Sequence, residues 1–225
     1  MKPNDETTPE SRPRVVVHVA VSLDGASSGF EVDLARFYTL AGTWAEDVTL
    51  TGADTVLAQE QVLAESPRPG PAPAAPLLAV VDARARVRQW EALRDCGYWS
   101  GVIALRADST PAPAKTSGRM PVPELRVGAD RVDLGAALAA LRRDHGARLV
   151  RVDSGGELTG ALLGLGLVDE LSLLVHPCLA GPVGIRRWHG RNPPPALALE
   201  RLGAVALDGG LVWLRYRRAL PASAD

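Results

Sequence analysis

The stretch that decides the fold runs from Val150 to Gly181 and reads VRVDSGGELTGALLGLGLVDELSLLVHPCLAG. The β-rich run Leu149 to Val152 enters the turn Asp153-Ser154-Gly155-Gly156, and a helix is expected directly behind it. That helix should end in a turn marked by Gly164 and Gly166, with a second strand from Leu171 to His176. Strand, helix, strand is the building unit of a parallel α/β sheet. A glycine pair between a strand end and a helix start lets backbone N–H groups come close to an anion, where the helix dipole also favours negative charge. Phosphates are the usual guests, although such a pair is as often a tight turn with no ligand.

Working outward, Val15 to Ser22 is apolar on both faces, as suits a strand in the middle of a covered sheet. Glu31 to Trp44 has a helical pattern, with Leu34, Phe37, Tyr38 and Ala41 on one face. Val48 to Thr51 reads as a short strand, followed by a short helix that Asp54 is placed to cap. Leu77 to Val81 and Val102 to Leu105 are further buried strands, separated and followed by the Pro-rich loops 65–76 and 109–123. Asp133 caps an amphipathic helix with Leu134, Leu138 and Leu141 in register, ended near Gly146. At the C-terminus, Leu197 to Leu207, an Asp208-Gly209-Gly210 turn and Leu211 to Arg218 form an antiparallel hairpin. The expected architecture is α/β: a mostly parallel sheet flanked by helices, with an antiparallel C-terminal edge. It comprises a flexible tail over residues 1–12 and one domain over 13–220.

Composition narrows the function. With 25 basic and 26 acidic residues the net charge is −1, so the basic footprint of a nucleic-acid binder is missing. Cys96 and Cys178 stand far apart without metal-ligand spacing, which argues against zinc or a disulfide framework and suits a reducing cytoplasm. No apolar leader is evident at residues 1–13, and no uncharged run approaches the ~18 residues of a membrane helix. GxGxxG, Walker A, HExxH and GxSxG patterns are absent, and His18, His145, His176 and His189 lack ligand spacing. His18 and His176 fall inside strands and are read as satisfied core or interface histidines; the five tryptophans are read as core or dimer surface. The polar loops at strand ends remain: Ser22 to Gly25, Thr51 to Thr55, Asp82 to Arg86 and Asp153 to Glu157. Open α/β sheets bind ligands at such carboxyl ends.

These loops carry a resemblance. Ser22-Leu23-Asp24-Gly25, Thr51-Gly52-Ala53-Asp54-Thr55-Val56-Leu57 and Asp153-Ser154-Gly155-Gly156-Glu157-Leu158 occur in that order, followed by Leu167 to Leu171 and the Pro177 to Gly181 turn. Together they resemble the C-terminal reductase domain of the bifunctional riboflavin-biosynthesis deaminase/reductase and its stand-alone counterparts, a branch of the dihydrofolate reductase-like fold. The resemblance implies an NADPH-dependent oxidoreductase, usually a homodimer, that reduces a ribosylaminopyrimidine phosphate to its ribityl form. It further implies cofactor contacts at Thr51, Gly52, Thr55, Gln59, Asp82, Ala83, Arg84, Ser154, Gly155, Gly156, Glu157 and Leu158. Substrate contacts are implied at Ser28, Leu63 and Asp153, the last also the candidate catalytic group.

Physical reading of those positions adds detail. The Gly155-Gly156 turn with the Glu157 and Leu158 N–H groups suits a pyrophosphate, and Gly156→Val is expected to block it with the fold largely intact. Arg84 and Arg86 suit a 2′-phosphate, favouring NADPH, whereas Asp82 at a free 2′-hydroxyl would favour NADH. Asp24 reads more simply as a turn residue. Two departures from the family pattern concern the substrate half: Gln59 stands where an Asp is usual, and Ser66 where an arginine is expected to meet the substrate phosphate, with Arg68 of the Pro-rich loop as the alternative cation. Two other readings stay open. One is a folate reductase, for which Glu31 or Asp33 would have to serve as the acid; the other is a nucleotide-binding protein without turnover.

Overall fold

The protein was analysed as a computed structural model, which describes residues 11–112, 121–182, 186–191 and 196–219. Most of the expected N-terminal tail and the middle of the second Pro-rich loop lie outside the described residues. In chain order the elements are β1 (Arg14–Ser22), α1 (Leu34–Ala41), β2 (Val48–Gly52), α2 (Ala53–Leu57), α3 (Glu60–Glu65), β3 (Leu77–Val81), α4 (Trp90–Asp95) and β4 (Gly101–Arg106). They continue with β5 (Glu124–Arg126), α5 (Leu134–His145), β6 (Leu149–Val152), α6 (Glu157–Gly164), β7 (Glu170–His176), β8 (Leu199–Ala206), a 3₁₀ turn (Asp208–Gly210) and β9 (Val212–Arg218). The nine strands form a mostly parallel sheet with an antiparallel C-terminal hairpin. The chain divides into two compact units, Met1–Arg14 with Glu46–Val150, and Val15–Ala45 with Arg151–Asp225.

In the first unit β2, β3, β4 and β5 are parallel neighbours, with Gly52 opposite Val81 and Val81 opposite Leu105. Its core gathers Ala53, Val56, Leu78, Val80, Val87, Trp90, Leu93, Val102 and Ala104. α5 is built as its sequence reads: the Asp133 carboxylate accepts the Ala136 N–H at 2.9 Å, and Gly146 closes the helix in the left-handed conformation. Arg142, Arg143 and His145 occupy its last turn, where cations complement the dipole.

Several boundaries differ from expectation. α1 is shorter, because the Asp33 carboxylate takes the Arg36 N–H at 2.9 Å and starts the helix at Leu34. α2 is capped by Gly52 rather than Asp54; the Asp54 carboxylate pairs instead with Arg86 at 2.6 Å. α3, α4 and β5, of three to six residues, are additions to the elements expected from the sequence.

In the second unit β1 pairs in parallel with β7, which pairs antiparallel with β9, and β9 with β8. From Val15 to Ser22 every β1 residue is buried. One of them, His18, has all its ring partners on this unit. Its Nε2 lies 3.1 Å from the Phe37 carbonyl oxygen, which can only accept, so that nitrogen carries the hydrogen. Nδ1 therefore accepts from the Ser172 hydroxyl at 2.9 Å, and the Ser172 oxygen in turn accepts the Trp213 indole N–H at 2.8 Å. The ring stacks on Phe37 with centroids 4.2 Å apart. Below it, buried Glu170 accepts from Trp44 and from Arg215, whose guanidinium lies over both the Trp44 and Trp213 rings. His18 is thus a satisfied core histidine. His176 is buried too, its Nε2 accepting the Asp33 N–H at 3.1 Å. Among the described residues no helix is long and apolar enough to cross a membrane, and both cysteines are free thiols.

Burial, with Arg151 nearby as a like charge, pushes His18 down from 6.5 to about 4, against the opposing hydrogen bond to Phe37. The unfolded chain therefore takes up a proton near pH 6.5 that the folded chain refuses until about pH 4, and stability falls as pH falls through that window. Urea unfolding of wild type at pH 7 and pH 5 should differ by about 2 kcal/mol more than that of His18→Gln, whose side chain does not titrate. Equal pH dependence in the two proteins would contradict a neutral buried His18.

Candidate functional site

In the second unit the chain leaves β6 through Asp153-Ser154-Gly155-Gly156 and enters α6. Gly156 has φ +71° and ψ −132°, a combination open to glycine and strained for other residues. The turn is held from behind. A Cβ on Gly155 would stand 2.9 Å from the Ser27 hydroxyl oxygen and 3.1 Å from the Ser27 Cβ, so a larger residue would have to push the loop after β1 aside. The buried Thr159 hydroxyl donates to the Ser154 carbonyl. Glu157 and Leu158 lie in the first helical turn, where N–H groups have no acceptor within the helix.

A segment the sequence analysis did not single out lies against this turn. Arg186 to Arg191 includes Trp188, whose carbonyl accepts the Gly156 N–H at 2.9 Å. The Gly156 amide is therefore engaged within the protein, and the pyrophosphate expectation narrows to the amides at the start of α6. Gly190 packs on the Gly156 carbonyl so closely that a Cβ there would approach its oxygen to 3.1 Å. The same segment is stitched to the loop after β1. Arg186 C=O accepts the Ser27 N–H at 2.7 Å, Arg186 N–H donates to the Ser28 hydroxyl at 3.0 Å, and Trp188 N–H donates to the Gly25 carbonyl at 3.3 Å. Ser28 and the glycine turn, both implied as site residues, are thus brought together through this segment. The only signal of it in sequence is the dense run Arg186-Arg187-Trp188-His189-Gly190-Arg191.

Asp153 is mostly buried, with Oδ2 3.2 Å from Nη1 of the buried Arg151. A carboxylate so paired serves as a hydrogen-bond acceptor with a fixed orientation. Asp24, by contrast, is a loop clasp: its Oδ1 takes the Ser22 hydroxyl at 2.5 Å and the Ala180 N–H at 3.1 Å, and the Ser22 bond foremost holds the carboxyl below its usual range.

In the first unit the implied positions cluster at the carboxyl ends of neighbouring strands β2 and β3. Thr51 is buried in β2, Gly52 caps α2, and Thr55 is half-buried on α2. Gln59 is exposed at the start of α3. Leu63, on α3, packs against the core of this unit. Asp82 is fully buried: its two carboxylate oxygens accept the Arg86 and Val87 N–H groups at 2.8 and 3.2 Å. The buried Arg106 guanidinium reaches it at 3.8 Å and also pairs with Glu124. Asp82 therefore shapes its loop from inside, which removes the alternative of an exposed carboxylate meeting a ribose hydroxyl. Ala83 and Arg84 stand exposed at the loop surface, followed by Ala85 in the left-handed region at φ +50°. The Thr110 hydroxyl donates to the Ala83 carbonyl at 3.0 Å and fixes that tip. Arg86, the other candidate for a phosphate, is occupied by Asp54. Ser66 follows α3 with its hydroxyl donated to the Val62 carbonyl at 2.7 Å.

A mostly parallel sheet with an antiparallel final hairpin and a glycine turn opening a helix is the dihydrofolate reductase-like α/β architecture. Within it, the chain belongs to the RibD C-terminal domain family, which matches residues 13–213. A 2,5-diamino-6-ribosylamino-4(3H)-pyrimidinone 5′-phosphate reductase of Archaeoglobus fulgidus is 33% identical over 189 residues, covering 76% of this chain and 83% of that protein. Among solved structures, a pyrimidine reductase-like protein of Corynebacterium diphtheriae superimposes with a TM-score of 0.70 at 16% identity, covering 96% of this chain and 95% of its own. Acinetobacter baumannii RibD superimposes with a TM-score of 0.66 at 21% identity over 93% of this chain. This chain spans only 59% of that RibD chain.

The Gly156 dihedrals argue against the expectation that Gly156→Val leaves the fold largely intact, because a β-branched side chain is strained at φ +71°. That substitution should destabilise the protein by about 1–3 kcal/mol, the usual strain of a side chain in such a conformation. Urea denaturation would check it, and a midpoint equal to wild type would refute the turn geometry.

Proposed function

We propose that this chain is an NADPH-dependent reductase of the riboflavin-biosynthesis type, carried by residues 13–220, that reduces a ribosylaminopyrimidine phosphate to its ribityl form. The observation that carries the reading is the family match across 13–213, together with the identity to the Archaeoglobus fulgidus reductase. The folate-reductase alternative loses support at Asp33, whose carboxylate caps α1.

The residues present suit a dinucleotide. On the second unit, Ser154, Gly155, Gly156, Glu157 and Leu158 are assigned to the cofactor, with the α6 amides as donors to its phosphates. On the first unit, Thr51, Gly52, Thr55, Gln59, Ala83 and Arg84 are assigned to it, with Asp82 holding the loop that presents the last two. Arg84 is the exposed guanidinium of that loop, while Arg86 is paired with Asp54. This favours a 2′-phosphate, hence NADPH over NADH. When bound, NADPH supplies the hydride. Ser28, Leu63 and Asp153 are assigned to the substrate. Asp153, oriented by Arg151, accepts a hydrogen bond from a sugar hydroxyl or amine and fixes the carbon to be reduced. A homodimer is proposed from β8, exposed along nearly all its length, and from Leu199, Leu202 and Val205, each at least 40% exposed. The free thiols suit a cytoplasmic setting.

The test is consumption of NADPH with the pyrimidinone phosphate that the Archaeoglobus protein is named for. Wild type should turn it over and Asp153→Ala should lose at least about 100-fold in kcat/KM, the scale of a lost orienting contact. No turnover would refute the reading. NADPH at about 100 times its Kd should stabilise the fold by about 2.7 kcal/mol. Arg84→Ala should weaken NADPH on the order of tenfold and leave NADH unchanged. Equal losses for both cofactors would remove Arg84 from the 2′-phosphate. Sedimentation at micromolar concentration should give a dimer; a clean species of 23.8 kDa would refute the interface.

A further inference from the structure

We infer that the segment Arg186 to Arg191 carries a binding site for a sugar phosphate monoester, with the Arg186 guanidinium as its principal contact. The inference rests on the proposed reductase reading for the identity of the ligand, and on the second unit alone for its geometry. A phosphate monoester is close to a dianion at neutral pH and needs a cation where it docks. Ser66, where the resemblance leads to the expectation of such a cation, is a neutral side chain bonded to its own helix.

The Arg186–Arg191 segment supplies cations beside two implied substrate residues. Arg186 N–H donates to the Ser28 hydroxyl, and Trp188 C=O holds the turn that follows Asp153. Backbone bonds to Ser27, Ser28, Gly25 and Gly156 fix the segment, so its side chains project from a rigid base. Its three arginines are all exposed but not equally engaged. Arg187 Nη1 donates to the Asp24 carbonyl, and Arg191 faces Glu157, with its N–H 3.2 Å and its Nε 3.8 Å from Oε1. Among the described residues the Arg186 guanidinium has no hydrogen bond or ion pair. A planar guanidinium left unengaged on a fixed backbone can meet two phosphate oxygens at once, and Arg187 adds a second positive charge one residue away. The nearby carboxylates do not compete for Arg186: Asp24 is bonded to Ser22 and Ala180, and Glu157 to Arg191.

Calorimetric titration of the full chain with ribose 5-phosphate, and with ribose as control, tests the site. Wild type should bind the phosphate and not the free sugar. Arg186→Ala should weaken that binding on the order of 10- to 100-fold, the scale of a lost charge-assisted hydrogen bond, and Arg186→Lys should restore part of it. In turnover, Arg186→Ala should raise KM for the phosphorylated pyrimidine by a similar factor, with kcat and NADPH affinity little changed. It should leave any activity on the dephosphorylated compound unaltered. Ribose 5-phosphate affinity equal in wild type and Arg186→Ala, or absent from wild type, overturns the site. Binding that depends on Arg186 without reduction of any pyrimidine overturns the reductase reading and leaves the phosphate site standing. Efficient turnover unaffected by Arg186→Ala does the reverse.

Discussion

A strand buried on both faces has no water to satisfy the polar groups where it begins and ends, and the fold answers this with carboxylates placed at strand ends. Asp169 accepts the Val15 N–H at 2.7 Å at the start of β1. Asp47 accepts both the Arg148 and Leu149 N–H groups, at 2.8 and 2.9 Å, where the chain enters β6. Asp82 does the same for the loop leaving β3. Each is a short acidic side chain replacing water for backbone donors, and an unmet donor there would cost about 1–3 kcal/mol. Loops that are held from inside in this way leave their outer side chains exposed, as Ala83 and Arg84 are.

Much of this was legible in the sequence, for physical reasons. β1, β3 and β7 are long enough, and buried deeply enough, that their apolar runs identify them directly. α5 announces itself through Asp133, three spaced leucines and Gly146. The glycine turn after β6 was readable because paired glycines ahead of a helix have few other uses. Legibility failed where an element is short or where its cause is distant. α3 buries none of its six residues, so no periodic signal exists to read. Asp54 looks like a cap in sequence, yet its partner is Arg86, 32 residues further on.

The same limit applies to the candidate site. Arg186 to Arg191 matters through backbone bonds to residues about 160 positions earlier and 30 positions earlier, contacts that composition and spacing do not encode. Asp82 falls in the loop leaving β3, as the sequence places it, but only its burial reveals that the carboxylate faces inward. His18 illustrates the opposite outcome: a polar residue in an apolar strand was read as core, and its closed set of partners explains why one neutral tautomer suffices.

The hairpin edge holds one irregularity whose meaning concerns chain length. Along β8 and β9 the ladder pairs Arg201 with Tyr216 and then Gly203 with Arg215, so Leu202 is an extra residue in a bulge. Residues before the bulge and after it keep their own partners only because this one position absorbs the offset. Loss of a single residue at Leu202 would yield an uninterrupted ladder, whereas loss of one elsewhere in β8 would turn the later side chains of that strand to the opposite face. The edge strand is thus the part of the sheet where one residue more or less leaves the buried side chains on their own face.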